Sequence, residues 1–497
     1  MQRRTFKQTY IPGWEQGILD AALLVNLGQG LPLRYASLFA ACLEIGRIVH
    51  AGDEVTQGND AFMGRAIDSG QTPSQIEQIL HSLNPDVSIK GFYPGVKSDA
   101  LKEIVMHASP VFFHAGNSSK EKRMMLSQWV YMHSESKPNV SLSAGNEHEI
   151  RIASYHGGKI LNEHLMPQFE GQRSSRIMSI AQATIGLGEI ISNLLELGNP
   201  QKDIITWNLW SRKRTSYVND FDWRDFDPRN KTIGLVGVGA VGVSFLEATD
   251  GLGFEKIYMF DDDTAEFTNT SRAPQFANYL GRLKSLAMAD YYNARNNGTL
   301  YIGSKRRISE SSRLPDVDLL ICAADGFDNQ MRIINLSQRK QLSMLLAGCT
   351  PFTLNVNAYV PGMTSSMLFQ NDFLELAYLS AIRQEHRHCT DPEVEGSQVL
   401  TTALAGAVLA GEAINYFACE PLRGPFYYDM LGYPRLQYFP ISGIRDLGVD
   451  IPRFQPPLPD TVTRDFEQGV EQISVCGKPF DDWYHSVGNV FEVGKNV

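Results

Sequence analysis

The chain has 497 residues, 43% hydrophobic and 20% charged, a length beyond what one hydrophobic core fills, so two or three globular domains are expected. A formal net charge of -10 argues against nucleic acid as the main partner, since the short basic runs are only SRKR and SKRR, read as solvated loops. Six cysteines without a C-x-x-C pair exclude a disulfide framework and a thiolate zinc site, and neither a secretion signal nor an apolar run of bilayer length is evident, so a cytoplasmic protein without a membrane partner is expected.

From the N-terminus, SQIEQILHSLNPDVSIKGFYPGV reads as a helix and a strand, ALKEIVMHASPVFFHAGN as a helix, a strand and a turn, and MLSQWVYMHSESKPNVSLSAG as another helix and strand. ATIGLGEIISNLLELG, carrying Gly188-Glu189, closes this half as a helix. The stretch TWNLWSRKRTSYVNDFDWRDFDPRN has no period and marks a boundary. From Lys231, KTIGLVGVGAVGVSFLEATDGLG predicts a buried strand, a glycine turn and a helix, and EKIYMFDDD a second strand, which together make a β-α-β unit. VDLLICAADG and SMLLAGC are further apolar strands, and LTTALAGAVLAGEAINYFA, with Gly411-Glu412, is a buried helix. Such alternation predicts an α/β fold, a doubly wound (Rossmann-like), mostly parallel sheet. The same order of elements in both halves makes the first a weak copy of the second, lacking the G-x-G-x-x-G loop. Beyond Tyr433 a Pro- and aromatic-rich stretch suggests a small β-rich module or an extended arm. The expected domains are therefore residues 1–205, 206–432 and 433–497.

Gly237, Gly239 and Gly242 lie between strand and helix, where glycine lets the backbone approach a phosphate and the helix N-terminus offers unpaired N–H donors. Asp261 ends the next strand, where an acid accepts hydrogen bonds from a ribose. That much fits NAD, FAD or ATP equally. In FDDDTAEFTNTSRAPQF the acidic turn of Asp261, Asp262 and Asp263 leads to Asn269, Arg272 and Gln275, and Lys284 follows, a set for which a nicotinamide site has no use. Adenylation does use it, because attack of a carboxylate on an α-phosphate and loss of pyrophosphate need fixed cations and a metal-holding acid. Arg272 and Lys284 supply the cations, and Asp325, at a strand end, is the expected Mg²⁺ ligand in preference to Asp328.

Residues 231–420 resemble the ThiF-type adenylyltransferases, the superfamily that includes ubiquitin-activating enzymes. The pattern is carried by Gly237, Gly239 and Gly242, Asp261 and Asp263, Asn269 and Arg272, Gly281 and Lys284, and Asp325 with Arg332 and Asn335. The resemblance implies ATP and Mg²⁺ as cofactors, with Asp261 on the ribose, Asn269, Arg272 and Lys284 on the phosphates, Gln275 as the polar residue that follows the arginine, and Asp325 on the metal. It further implies that Cys389, in HRHCTDPEVEGSQVL, accepts the activated carboxylate as a thioester, its thiolate favoured by His386, Arg387 and His388. Cys349 reads instead as a buried small hydrophobe. A nucleotide-blind half before a catalytic one is similar to ubiquitin-activating enzymes, which pair an inactive with an active adenylation domain. Fusion of the two looks like bacterial ubiquitin-like conjugation systems, some of them antiphage, with a ubiquitin-like protein as substrate, a conjugating enzyme as recipient and a homodimer allowed. Many members use an Arg from a second subunit or pseudo-domain, a role open to Arg3, Arg4 or an Arg of the first half. Alternatives are an adenylyltransferase without the thioester step acting on a sulfur carrier or peptide, a nicotinamide oxidoreductase, and a non-catalytic scaffold.

Overall fold

The computed structural model describes residues 8, 10–28, 30–52, 61–63, 65–66, 72–92, 110–115, 140–145, 149–155, 175–198, 205–208, 227–359, 397–418, 426–431, 436–438, 462–467, 470–475 and 478–479. A short helix α1 (Gln16–Ala21) leads to strand β1 (Leu23–Gly28), helix α2 (Leu31–Cys42) and strand β2 (Arg47–Gly52). A two-stranded ribbon of β3 (Ala61–Phe62) and β4 (Arg65–Ala66) precedes α3 (Thr72–Leu83), β5 (Ser88–Phe92), β6 (Pro110–Ala115), β7 (Val140–Gly145), β8 (Glu149–Tyr155), α4 (Arg176–Leu194) and β9 (Ile205–Asn208). The described strands form a seven-stranded sheet in the order β5-β2-β1-β6-β7-β8-β9. It is parallel as far as β7 and antiparallel over the last two strands.

The second sheet is built from β10 (Thr232–Val236), β11 (Lys256–Phe260), β12 (Leu300–Ser304), β13 (Leu319–Cys322), β14 (Met344–Cys349), β15 (Thr353–Tyr359), β16 (Phe426–Asp429) and β17 (Leu436–Tyr438). Helices α5 (Ala240–Thr249), α6 (Lys284–Asn293), α7 (Phe327–Lys340) and α8 (Val399–Phe417) connect them. Its order is β12-β11-β10-β13-β14-β15-β16-β17, parallel as far as β14 and antiparallel beyond. Strand for strand, its first seven members repeat the order and sense of the first sheet. The doubly wound expectation is met in both sheets. A third, antiparallel sheet, β18 (Val462–Glu467), β19 (Val470–Val475) and β20 (Lys478–Pro479), lies in the C-terminal region. Strand β9 runs past residue 205 in the first sheet, and β17 extends the second past residue 432. The helices expected within 100–109 and 125–135 fall outside the described residues.

Parallel strands covered on both faces read as continuous apolar runs, and β1 and β6 are buried along their whole length. One hydrophobic core passes through both sheets, from Leu24, Phe113 and Ile152 through Ile180 and Leu187 of α4 to Val408 of α8, Phe245 of α5 and Leu235 of β10. A smaller cluster, with Phe260, Ile308, Leu320 and Ile334, lies under α7. Helices α4 and α8 are each 19 residues and apolar enough to cross a membrane by length and composition, but 89% and 94% of their apolar windows are buried inside the fold. They are core helices, and their small residues bring backbones together. A Cβ at Gly406 of α8 would stand 2.5 Å from the Phe245 nitrogen of α5, and one at Gly186 of α4 would stand 2.4 Å from the Phe113 ring.

The two halves are also joined by buried charge. Glu247 of α5 accepts hydrogen bonds from Tyr35 of α2 at 2.9 Å and from Arg176, at the start of α4, at 3.0 Å. Arg295 reaches the same carboxylate at 3.2 Å and Asp250 at 2.6 Å. Burial pushes the Glu247 carboxyl up, but Arg295 and Arg176 outweigh it and bring the pKa down to about 2.

Candidate functional site

The second sheet reverses direction of winding beside β10, and its carboxyl edge there carries the glycine turn. Gly237 has φ +89°, and a Cβ on it would come within 2.7 Å of the Ala323 carbonyl and the Ala324 nitrogen. A Cβ on Gly242 would lie 2.1 Å from the Gly237 oxygen, so the first turn of α5 is pressed onto the loop. Glycine is required at both places. Gly239 differs: nothing among the described residues lies within 4 Å of where its Cβ would be, so the turn is open at the helix N-terminus, where the N-cap offers no side chain to the first backbone N–H groups.

Asp261 follows β11. Its carboxylate accepts from the Val238 N–H at 2.7 Å and the Asp263 N–H at 2.9 Å, which fixes the acid against the glycine turn. Burial raises its pKa, opposed by the nearby Lys284. Lys284, the first residue of α6, donates to Asp263 at 2.8 Å. The ligand oxygens of Asp261, Asp262 and Asp263 lie within 4.8 Å of one another, a concentration of negative charge that Lys284 offsets.

Asn269 and Arg272 belong to the 3-10 turn Phe267–Ser271. The Asn269 side chain accepts from the Glu266 N–H at 2.9 Å in a capping box, and Arg272 caps the other end of the turn. The Arg272 guanidinium donates to the Ser397 hydroxyl at 2.9 Å. Gln275 is buried, and its amide donates to Glu247 at 3.4 Å, toward the C-terminal end of α5.

Beyond β13, Asp325 is exposed at the carboxyl edge, one oxygen accepting from the Gly326 N–H at 2.9 Å. Asn329 of α7 donates to the Asp325 carbonyl at 2.8 Å and accepts from Arg307 at 3.1 Å. The residues implied alongside Asp325 lie on α7, where Arg332 is exposed and Asn335 donates to Glu310 at 3.1 Å. Asp328 is in the first turn of α7, its side chain outside the described residues. Cys349, read as a buried small hydrophobe, is only partly buried and donates to the Thr401 carbonyl at 3.8 Å. Burial, together with the charge of Asp325, pushes its thiol well up, so it stays protonated. Cys389, His386, Arg387 and His388 lie outside the described residues, as do Arg3 and Arg4.

Thus the turn, Asp261 and the strand end before Asp325 are in direct contact, Lys284 joins through Asp263, and Asn269 and Arg272 occupy one capped turn that meets the head of α8. Gln275 points elsewhere. Sequence reading missed two residues. Ser397 is an ordinary serine in a polar string, and Arg307, part of a basic run read as a solvated loop, crosses from the end of β12 to α7.

No curated protein matches this chain. Among solved structures it is similar to PaaA in selenomethionine form, at 14% identity over 43% of this chain and 74% of that one, with a TM-score of 0.36. It is similar to E. coli MccB at 18% identity over 41% of this chain and 60% of that one, TM-score 0.34, and to E. coli MccB with ATP at 19%, 43% and 64%, TM-score 0.35. The chain thus spans less than two thirds of the length of MccB. The ThiF family model matches residues 227–437, in agreement with the pattern read from the sequence. Residues 227–437, which hold the glycine turn, Asp261, Arg272, Lys284 and Asp325 on one doubly wound sheet, are a ThiF-family domain.

Proposed function

We propose that residues 227–437 are an ATP-dependent adenylyltransferase that joins the C-terminal carboxylate of a protein or peptide to AMP. A carboxylate oxygen attacks the α-phosphorus, the bond from that phosphorus to the bridging oxygen breaks, and pyrophosphate leaves with its electron pair. The observation that carries the reading is Lys284 beside Asp261 and Asp263 at an open glycine turn, within the segment that matches the ThiF family. In this reading the turn's N–H donors cradle phosphates and Asp261 receives the ribose hydroxyls. Arg272 and Lys284 meet the charge that grows on the phosphoryl oxygens, with Asn269 fixing the turn that carries Arg272. Gln275 acts from behind, through Glu247. Asp325, an exposed hard-oxygen donor at the same edge, is the residue that would hold Mg²⁺, whose chemistry is to draw charge from those oxygens.

The finer reading takes a ubiquitin-like protein as the substrate, Cys389 as the acceptor of its C-terminus in a thioester, and a conjugating enzyme as the recipient, with residues 1–205 as an inactive copy. The last part is supported by the repeated strand order and by what occupies the equivalent turn. Gly28, Gly30 and Leu33 share the spacing of Gly237, Gly239 and Gly242, and Gly52 falls as far beyond Gly28 as Asp261 falls beyond Gly237. At Gly52, with φ +152°, a Cβ would stand 1.9 Å from the Gly28 oxygen, so no acid projects there, and the buried Leu33 replaces the third glycine.

ATP–pyrophosphate exchange with candidate ubiquitin-like proteins and peptides tests both levels. Exchange that is lost in Arg272→Ala and Lys284→Ala supports adenylation, and full exchange in either variant removes that residue from the site. In Cys389→Ala, exchange kept while a thiol-labile adduct is lost supports the thioester; a wild type that exchanges without forming an adduct leaves adenylation alone. Tight NADH binding without ATP binding would make the domain an oxidoreductase, and binding of neither a scaffold.

A further inference from the structure

Strand β13 ends at Cys322, and just beyond it the Ala323 N–H still donates to the Val236 carbonyl of β10 at 2.8 Å. The next two carbonyls are taken up by two consecutive side-chain amides at the start of α7. Gln330 donates to the Ala324 carbonyl at 3.1 Å and reaches the Ala347 carbonyl of β14 at 3.5 Å, and Asn329 donates to the Asp325 carbonyl at 2.8 Å. Between strand and helix the chain turns at Gly326, with φ +81°, whose N–H holds one oxygen of the Asp325 carboxylate at 2.9 Å. So sharp an exit leaves the sheet's ladder behind, and the amides supply the partners that the carbonyls need. Asn329 is fixed at its other end as well. Its side-chain oxygen accepts from the Arg307 Nη2 at 3.1 Å, and Arg307 is followed by Ile308, buried in the cluster under α7. With a carbonyl on one side and a guanidinium on the other, only one orientation of this amide satisfies both.

We infer that Asn329 is a positioning residue for the metal-holding acid: it clamps the Asp325 backbone, with Arg307 fixing its amide, and so sets the attitude of the Asp325 carboxylate at the carboxyl edge. The inference rests on the adenylyltransferase reading and on Asp325 as the residue that would hold Mg²⁺. Asp325 is exposed, so little packing around the carboxylate steadies it, and its aim is set by the peptide that carries it. Mg²⁺ tolerates small angular error in its ligands, and partners that orient a ligand from behind govern metal affinity for that reason. The two contacts carry different weight. Asn329 is half-buried, whereas Arg307 is exposed, where water competes for its donors, so the larger share of the positioning falls to Asn329.

The test is calorimetric titration of ATP into the full chain, with Mg²⁺ and with a chelator in its place, for the wild type, Asn329→Ala, Arg307→Ala, Asp325→Ala and the double variant Asn329→Ala/Asp325→Ala. The quantity read is the ratio of the two ATP affinities, with metal over without. In Asn329→Ala this ratio should fall about tenfold while the metal-free affinity stays at the wild-type value. Arg307→Ala, a change at an exposed side chain that leaves the fold standing, should lower it about two- to threefold. Once Asp325 is alanine, Asn329→Ala should cost nothing more, an outcome that a general packing role would not give. An unchanged ratio in Asn329→Ala, an equal loss with and without metal, or losses that add in the double variant would overturn the role of Asn329, and an unchanged ratio in Arg307→Ala would remove Arg307 from it. A wild type that binds ATP equally with and without Mg²⁺ overturns the inference and leaves the nucleotide site standing. One that binds no ATP under either condition overturns the functional reading itself.

Discussion

Asp261 has two tasks that pull on the same carboxylate. It accepts from Val238 and Asp263 within the protein and is the group that would receive ribose hydroxyls. Asp261→Asn keeps an acceptor but removes the charge, so ATP affinity should fall about tenfold, within the range of a charged hydrogen bond, while the fold persists. The pH dependence follows from burial. Protonation removes the acceptor charge, and because burial raises this pKa, ATP affinity should decline on acidification at a higher pH than an ordinary carboxylate would impose. The asparagine variant should show no such decline; a titration with the same pH profile in both proteins would clear Asp261. Residues such as Asp261 and Lys284 were legible in the sequence because their spacing from the glycine turn is set locally, by one strand and one helix. Ser397 and Arg307 were not, because only the long-range crossing of chain segments gives them their partners.

Helix α8 packs its small residues on α5, and α5 packs its first turn on the glycine loop. A clash in either place should therefore reach the nucleotide by a different route. Gly242→Ala puts a methyl group 2.1 Å from the Gly237 oxygen and must lift the helix N-terminus, so ATP binding should be lost together with about 1–3 kcal/mol of stability. Gly406→Ala meets backbone of α5 at 2.5 Å and should cost a similar amount, read as a lower Tm, with a smaller effect on ATP affinity because the turn itself is spared. Unaltered ATP binding in Gly242→Ala would show that the phosphates do not lie on this turn. The run of alanines and glycines made α8 readable as a buried helix. By contrast β1, α2 and β2 went unread: α2 is buried on nearly every side, so no amphipathic period marks it, and its entry turn lacks the third glycine. The antiparallel strands β8 and β15, seven residues each, also went unread, although EIRIASY and TLNVNAY alternate polar and apolar residues as half-buried strands do.

Among the described residues, a continuous core and a buried ion network hold the two halves together. Removing the Glu247 charge leaves Arg176 and Arg295 to share Asp250 alone, so Glu247→Gln should destabilise by about 3 kcal/mol, the low end for a broken buried pair. The acid limb has a definite sign. A carboxyl held down at about 2 stabilises the fold at every pH above the ordinary carboxylate range, and that contribution fades as pH falls toward 2. Acid unfolding that is no steeper in the wild type than in Glu247→Gln would remove the network from the account. The continuous core also means that urea should unfold the described halves in one transition, and two well-separated transitions would contradict it. Everything functional, however, turns on whether a triphosphate binds at the carboxyl edge beside β10. The direct measurement is equilibrium binding of Mg·ATP and of NADH to the full chain and to Lys284→Ala. Saturable ATP binding by the wild type, at least a hundredfold weaker in the variant and without matching affinity for NADH, is the expected result. Equal ATP affinity in the two proteins, or a preference for NADH, would contradict it.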